Sequence, residues 1–197
     1  DEDSLAAIDE YSSRGISKDL ALRTYSSRLI GSDKELVLHG GGNTSVKTFE
    51  TTISGDEVEV LCVKGSGWDL STIEPEGHPA VKLKSLLKLK DLSSLSDEDM
   101  VASQRLNLLN PNAPNPSVEA LLHAFLPEKF IDHTHSIAVL SIADLKNSEE
   151  VCKSIYGDKV AIVPYIMPGF DLAIHASKYY EEAKSKALKE MEIQLKV

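Results

Sequence analysis

Two histidines separated by one residue give this sequence its strongest chemical signal. His133 and His135 lie in a largely apolar run from Phe130 to Ala143, which Asp132 and the two histidines interrupt. If this run is a strand, residues i and i+2 project from the same face, so both imidazoles can reach one ion while Asp132 projects from the other face. Imidazole binds zinc and other divalent first-row metals. The spacing indicates a candidate metal site, and the alternative is two polar side chains near a strand end.

A glutamate upstream of the histidines could supply acid/base chemistry. Glu119 falls at the start of a helix predicted from Ser117 to about Leu126, with Pro116 in its first turn. A tight turn from this helix into the strand would fold the carboxylate back over the metal, where it can act as general acid and base. The alternative is a first-turn carboxylate that interacts favourably with the helix dipole. His123, on the same helical face, is expected to support the site or the core.

Two glycine-rich loops offer backbone donors to an anion. They are Gly40-Gly41-Gly42-Asn43 and Gly65-Ser66-Gly67. Exposed N–H groups, with the side chains of Asn43 and Ser66, suit a phosphate group, and the N-terminus of the Ser117 helix offers further donors. Neither loop has the spacing of a P-loop or a dinucleotide fingerprint. For each loop taken alone, a simple turn is the favoured interpretation, because glycine usually marks only a turn.

The elements that must position these residues alternate irregularly along the chain. Strands are predicted at Glu57–Val63, Phe130–Ala143 and Val160–Pro164, and helices from Ser17 to Gly31, Ala80 to Lys90, Ser96 to Leu106, Ser117 to Leu126 and Asp171 to the end. Because no regular β–α–β rhythm appears, we expect an α/β fold with a mixed or antiparallel central sheet and helices on its faces.

Length and charge limit the possible partners. The 197 residues suit one domain, which we expect to span residues 1–197. The net charge of −10 disfavours binding to nucleic acid or to an anionic membrane surface, so an anionic ligand needs a local site. No apolar run approaches the roughly 20 residues of a membrane helix. Two isolated cysteines, Cys62 and Cys152, and an acidic start without signal-peptide features predict a cytoplasmic chain.

Four motifs in a fixed order resemble the class II aldolase/adducin family. They are Gly41-Gly42-Asn43-Thr44-Ser45-Val46-Lys47, Gly65-Ser66-Gly67-Trp68-Asp69, Pro116-Ser117-Val118-Glu119-Ala120-Leu121-Leu122-His123 and Asp132-His133-Thr134-His135. The sequence most resembles the aldolase halves of bifunctional rhamnulose-phosphate aldolase/alcohol dehydrogenase proteins, although it carries no nicotinamide-binding motif. The resemblance implies three α/β/α layers around a mostly antiparallel sheet.

The resemblance also implies a site and a reaction. In the family, zinc or another divalent metal is held by the histidines that correspond to His133 and His135, and the acid/base glutamate corresponds to Glu119. The residues that correspond to the phosphate-binding set are Asn43, Ser66, Gly67 and Ser117. The implied activity is that of a zinc-dependent aldehyde-lyase. It cleaves a ketose 1-phosphate of the rhamnulose or fuculose type by retro-aldol chemistry through a metal-stabilised enediolate.

Alternatives within the same family stay open. A ketopentose-phosphate epimerase or dehydratase shares the enediolate chemistry, and an adducin-like interaction module has no catalytic metal. Val118 stands where the sugar-phosphate aldolases often have a second serine. The resemblance further implies a small-molecule sugar phosphate as partner and a homo-oligomer, a tetramer with sites completed between subunits.

The third zinc histidine of the family has no counterpart in the expected place. The family places it in a His-Gly pair beyond the helix that follows the Pro168-Gly169 turn, and residues 186–197 contain neither residue type. We therefore expect either that the C-terminal part of the family domain is missing or that the site has two protein histidines. His175 is the one histidine that follows His135 in the sequence.

Overall fold

The computed structural model describes residues 2–194, and side chains as far as residue 187. The helices are α1 (Glu2–Ser13), α2 (Lys18–Ser32), α3 (Leu83–Lys88), α4 (Asp97–Leu106), α5 (Ala120–Phe125), α6 (Ile137–Ala143), α7 (Ser148–Tyr156) and α8 (Phe170–Gln194). The strands are β1 (Asn43–Thr51), β2 (Glu57–Val63), β3 (Ala80–Lys82) and β4 (Phe130–His133). Short 3-10 turns lie at Leu70–Thr72, Pro75–Gly77, Leu89–Asp91 and Gly157–Lys159.

The four strands form one antiparallel sheet in the order β3–β2–β1–β4. Where β1 pairs with β4, Asn43 lies opposite His133 and Thr44 lies opposite Asp132. Because successive side chains alternate, Asn43 and His133 project from one face of the sheet and Thr44 and Asp132 from the other. We call these the α5 face and the α2 face, after the helices that pack on them.

Apolar side chains fill both faces of the sheet. On the α5 face, Leu61 of β2 packs in one cluster with Leu121 of α5. On the α2 face, Cys62 and Val46 pack with Leu20 of α2. Burial of each large apolar side chain stabilises the fold by about 1.5–3 kcal/mol. Helices cover both faces, which confirms the α/β fold with a central antiparallel sheet.

Several predicted helix ends are confirmed by capping contacts. The Ser17 hydroxyl accepts a hydrogen bond from Leu20 N at 3.4 Å at the start of α2. Ser96 Oγ accepts one from Asp99 N at 3.1 Å at the start of α4. Gly31 does not end α2, because the helix continues to Ser32. A Cβ at Gly31 would collide with the backbone after Asp69, so the glycine permits close packing against that turn.

The prediction of a helix from Ser117 with Pro116 in its first turn is wrong at its start. Pro116 instead forms an isolated antiparallel bridge with Gly65, and Ser117 N donates to Lys64 O at 3.0 Å. This pairing keeps the segment extended, so α5 begins three residues later and Glu119 occupies its N-cap position. Similarly, the helix predicted from residue 80 begins at residue 83, because the first three residues form β3.

The predicted buried strand from Phe130 to Ala143 is wrong beyond its fourth residue. β4 ends at His133 because its partner β1 begins at Asn43, so the sheet has no further backbone groups to pair. The next N–H groups donate to a loop instead: His135 N to Leu36 O and Ile137 N to Glu35 O, both at 2.9 Å.

The 137–168 segment, which contains α6 and α7, lies between β4 and α8 and has no buried residue. The structure has no strand at Val160–Pro164, contrary to the prediction, and α6 and α7 have no buried residues. A short apolar run fits a strand or a helix equally well, which explains why residues 137–143 form α6 instead of a strand. Val160–Pro164 forms neither a strand nor a helix. Exposed apolar side chains in the segment are those of Ile137, Val139, Leu140, Leu145, Ile155, Val160, Tyr165 and Met167.

The long C-terminal helix predicted from Asp171 is confirmed as α8, which buries Phe170 and Ala173 against the α5 face. The last three residues, 195–197, lie outside the described part of the chain. Within that part, no helix combines the length and apolarity needed to cross a membrane.

Candidate active site

Three elements meet where the β1–β4 pairing ends. Asn43 is the first residue of β1, His133 is the last residue of β4, and Glu119 immediately precedes α5. The sheet register sets Asn43 beside His133. The bridge between Gly65 and Pro116 anchors the segment that carries Glu119. The position of each polar group therefore follows from backbone pairing.

Glu119 stands at the centre of this group. Its Oε2 atom lies 3.0 Å from His133 Nδ1 and accepts a hydrogen bond from Asn43 Nδ2 at 2.5 Å. Asn43 Nδ2 also donates to Ser117 Oγ at 3.1 Å. The structure thus brings four of the residues predicted from the sequence into direct contact.

The surroundings of Glu119 favour its ionised form. Burial raises the pKa of the carboxyl group, but the contacts and charge of His133 and the hydrogen bond from Asn43 outweigh burial and lower the pKa to about 2. Glu119 is therefore a carboxylate at neutral pH, which is the form that accepts a proton.

His135 lies beside His133 at the solvent-exposed edge of the site. The two ring centroids are 4.9 Å apart, with the ring planes inclined by 59°. The glycine loop approaches both histidines. A Cβ at Gly41 would lie 3.8 Å from His135 Nδ1, and one at Gly42 would lie 2.7 Å from the His133 carbonyl oxygen. Gly42 also has a φ of +67°, so glycine suits this position both sterically and conformationally.

The histidines and Glu119 provide donor atoms that suit a divalent metal. His133 Nδ1 is buried and lies 3.0 Å from the Glu119 carboxylate. Two imidazoles and a carboxylate match the ligand types of zinc. Among the described residues, however, no group of three or more His, Cys, Asp or Glu side chains is arranged as a metal cluster. The donor types fit a metal, and the described ligand set is incomplete.

The second glycine loop flanks the site without contacting Glu119 in the described structure. Ser66 N donates to Asn115 O at 2.8 Å, so this N–H is already engaged. Both Ser66 and Gly67 are exposed, and Gly67 has a φ of +86°. The predicted phosphate-binding residues therefore divide into a contacting pair, Asn43 and Ser117, and an adjacent exposed loop.

Sequence reasoning missed Lys64, which joins β2 to this second loop. Lys64 is only 7% exposed, yet the one hydrogen bond that its ammonium group makes in the described structure is to Gly40 O, at 3.3 Å. Lys47 shows the contrast, because its ammonium donates to three backbone carbonyls at 2.7–2.9 Å. Lys64 therefore has donor capacity left for an anion. A lysine between a buried strand and a Gly-Ser-Gly loop was the available sequence signal.

His123 contacts Asn43 and Ser45, as expected for a residue that supports the site. The ring is fully buried on the α5 face. Its Nδ1 lies 2.8 Å from Ser45 Oγ and its Nε2 lies 2.5 Å from Asn43 Oδ1. Asp132 projects from the opposite face and pairs with Arg23 at 2.6 Å, in agreement with the predicted orientation.

Residues 24–191 match the family model for the class II aldolase and adducin N-terminal domain, so the chain belongs to this family. A solved structure of the N-terminal class II aldolase domain of a protein from Thermoplasma acidophilum shares 44% sequence identity and a TM-score of 0.74. The match covers 79% of this chain and 72% of that one.

A curated relative is much longer than this chain. The chain is 44% identical over 149 residues to an uncharacterized oxidoreductase, YuxG, of Bacillus subtilis (strain 168). The match covers 76% of this chain but 22% of the relative. The chain thus matches about a fifth of the length of that protein.

Proposed function

We propose that this domain belongs to a metal-dependent aldolase that cleaves a ketose 1-phosphate of the rhamnulose or fuculose type into two three-carbon products. The observation that carries the proposal is the contact of the Glu119 carboxylate with His133 and Asn43, beside His135 and two glycine loops. Family membership and the donor types at this site support the assignment.

Glu119 moves the proton at the reacting carbon. In the direction of aldol formation, Oε2 accepts a proton from the carbon next to the substrate carbonyl. In the cleavage direction the ionised Oε2 accepts the proton that the substrate hydroxyl loses as the carbon–carbon bond breaks, and it then delivers one proton to the carbon of the resulting enediolate. The hydrogen bond from Asn43 Nδ2 holds Oε2 in place, which lowers the cost of reaching a reactive geometry.

His133 and His135 are the proposed protein ligands of the metal. A bound divalent ion such as zinc supplies Lewis-acid polarisation of the substrate oxygens. The buried Nδ1 of His133, which faces the Glu119 carboxylate at 3.0 Å and has no other polar contact among the described residues, supports this assignment.

Lys64 and the two glycine loops hold the phosphate. Lys64 supplies positive charge in a chain whose net charge is −10, while Asn43, Ser66, Gly67 and Ser117 supply neutral donors. Binding the phosphate away from the reacting carbons fixes their orientation relative to Glu119.

A non-catalytic, adducin-like module is the second candidate. The observation that favours it is the lack of a three-ligand metal cluster among the described residues. Redox activity is not proposed, because the relative named as an oxidoreductase is matched over only 22% of its length.

The domain is also proposed to act as a cytoplasmic homo-oligomer. The exposed apolar side chains of the 137–168 segment support the formation of an interface. Light scattering of the purified chain should give a mass that is a multiple of 21.5 kDa. A purely monomeric mass would reject the oligomer for this chain.

The reaction is tested by product analysis. Zinc-loaded protein is incubated separately with rhamnulose 1-phosphate, fuculose 1-phosphate and ribulose 5-phosphate. Release of lactaldehyde together with glycerone phosphate from either of the first two is the expected result. An isomeric ketose phosphate without an aldehyde fragment would instead identify an epimerase, and loss of water would identify a dehydratase.

Two controls separate the catalytic proposal from the interaction module. Chelator-treated protein and the His135→Ala variant should both lose aldehyde release, and zinc should restore only the former. Absence of any product from correctly folded, zinc-loaded protein would contradict the aldolase assignment.

A further inference from the structure

A continuous set of hydrogen-bond contacts leads from the middle of the sheet to Glu119. Ser45 Oγ lies 2.8 Å from His123 Nδ1, and His123 Nε2 lies 2.5 Å from Asn43 Oδ1. Asn43 Nδ2 then donates to Glu119 Oε2 at 2.5 Å. Because His123 is fully buried, both of its ring nitrogens depend on these protein partners.

The carboxylate fixes the direction of every hydrogen bond in this set. An ionised carboxylate only accepts hydrogen bonds, so Asn43 must present its NH₂ group to Glu119. The Asn43 carbonyl oxygen then faces His123, whose Nε2 must carry a proton. A neutral ring with its proton on Nε2 accepts at Nδ1, which matches the hydroxyl of Ser45. The reversed amide would set an oxygen against the carboxylate oxygen.

The environment of His123 keeps the ring neutral. Burial lowers the pKa of His123 to about 3, and the charge of His133 acts in the same direction. The ring therefore needs a single acceptor and a single donor as partners, and Ser45 and Asn43 supply them.

We infer that His123, as its Nε2-protonated tautomer, is a positioning residue that fixes the Asn43 amide so that it donates to Glu119. This inference rests on the acid/base role proposed above for Glu119. A rotated Asn43 amide would remove the donor from Oε2 and repel it, so the carboxylate would leave the position in which it faces His133.

Two substitutions of His123 distinguish the roles of its two ring nitrogens. In His123→Gln the side-chain amide can place a donor near the former Nε2, whereas in His123→Asn the shorter amide reaches only the former Nδ1 position. His123→Gln should therefore retain the orientation of Asn43, and His123→Asn should lose it. Both variants remove the same buried ring, so general loss of packing affects them alike, and thermal unfolding checks that each folds.

The tautomer is tested first on the wild-type chain. In ¹⁵N-histidine-labelled protein, the long-range ¹H–¹⁵N spectrum should show the ring of His123 protonated on Nε2 alone and unchanged from about pH 5 to pH 8. The signals should disappear in His123→Gln, which assigns them to His123. Protonation of the His123 ring on Nδ1, or titration of that ring between about pH 5 and pH 8, would overturn the inference.

The orientation of Asn43 is tested next. Its side-chain NH₂ protons, identified by their loss in Asn43→Asp, should exchange slowly with solvent in the wild type and in His123→Gln and rapidly in His123→Asn. Equal protection in both His123 variants would also overturn the inference, because the ring would then not control the amide.

Activity supplies a separate readout. We expect kcat to fall about 10- to 100-fold in His123→Asn, with KM little changed and kcat partly restored in His123→Gln. Equal kcat in the two variants would contradict the positioning role. If the spectra match and the wild type has no aldolase activity, the proposed function fails while the control of Asn43 by His123 stands.

Discussion

The two faces of the β1–β4 pair use polar residues in opposite ways. On the α2 face, Arg23 is 1% exposed and pairs with Asp132, while Thr44 and His78 are buried nearby. On the α5 face, the side chain of His133 is 28% exposed and contacts Glu119, which is 14% exposed. Both faces belong to the same two strands, so adjacent residues of one strand have different roles: one belongs to the buried ion-pair network and the next to the candidate site.

The difference follows from what each face is packed against. α2 buries Arg23, Thr44 and His78 on its face, while Asp132 at the end of β4 is half exposed. Arg23 links the strands there by contacting the Ser45 carbonyl oxygen at 3.3 Å as well as Asp132. The α5 face is closed by α5 only as far as Glu119, and the sheet end beyond it is open. One face therefore holds the register of β4 against β1, and the other presents side chains to a ligand.

Glu119→Gln should have the largest effect among the variants that test the difference between the two faces. The amide is nearly isosteric but cannot accept a proton as a carboxylate does, so aldehyde release should fall at least about 100-fold. Steady-state kinetics and thermal unfolding on the same samples measure the effect. Retained turnover would remove Glu119 from the chemistry, and a large loss of stability would place it with the structural residues.

Asp132→Asn should mainly affect stability. It leaves the buried Arg23 guanidinium without its counter-charge; because the Asp132 side chain is itself 50% exposed and screened by solvent, we expect a loss of about 1–2 kcal/mol in the free energy of unfolding. Arg23→Met removes the buried charge itself and should cost less. Urea unfolding of both variants measures this order, with the exposed Glu149→Gln as control, which should leave stability unchanged. The reverse order would show that the ion pair does not hold β4.

His78 should make the α2 face sensitive to acid. Burial lowers the pKa of His78 to about 3, whereas the unfolded chain titrates near about 6.5. The stability that neutral His78 contributes is complete above the pKa of the unfolded chain. It is lost as the pH falls from about 6.5 towards 3, by up to about 1.4 kcal/mol per pH unit. His78→Gln should reduce this slope, while His175→Gln on an exposed helical position should not. Equal slopes in all three proteins would contradict the burial argument.

The two buried lysines at opposite ends of α5 give the smallest expected effect. Lys64→Met should raise KM for a sugar phosphate about tenfold with kcat nearly unchanged, since one charged contact to the phosphate is lost. Lys47→Met should instead lower stability, because Lys47 binds the carbonyls of His123, Leu126 and Glu128. An unchanged KM in Lys64→Met would exclude this lysine from anion binding.

The features that the sequence could predict are those set by residues close together in the chain. Strand β2 and the histidine pair were accessible because alternation and short-range spacing are local properties. The contact between Glu119 and His133 follows from a turn and a strand pairing, and the sequence suggested it through a predicted tight turn between helix and strand and through motif order. Lys64 was missed because its unsatisfied ammonium depends on neighbours distant in sequence.

The errors in secondary structure also have a physical origin. The run after His133 has the composition of a buried strand, but β1 supplies no backbone groups beyond Asn43. The position at which β4 ends is set by Asn43, which is distant in sequence, so the local pattern around His133 could not reveal it. Val160–Pro164 is also a short apolar run, but it forms neither a strand nor a helix and lies in a segment without buried residues.

Metal content tests the central claim most directly. Purified, chelator-treated chain is dialysed against zinc, and the bound metal is measured per chain for the wild type, His133→Ala and Thr44→Ala, whose substitution lies on the α2 face. The account predicts about one zinc per chain in the wild type and in Thr44→Ala, and loss of zinc in His133→Ala. Zinc retained in His133→Ala, or no zinc in the wild type, would contradict the assignment of the α5 face as a metal site.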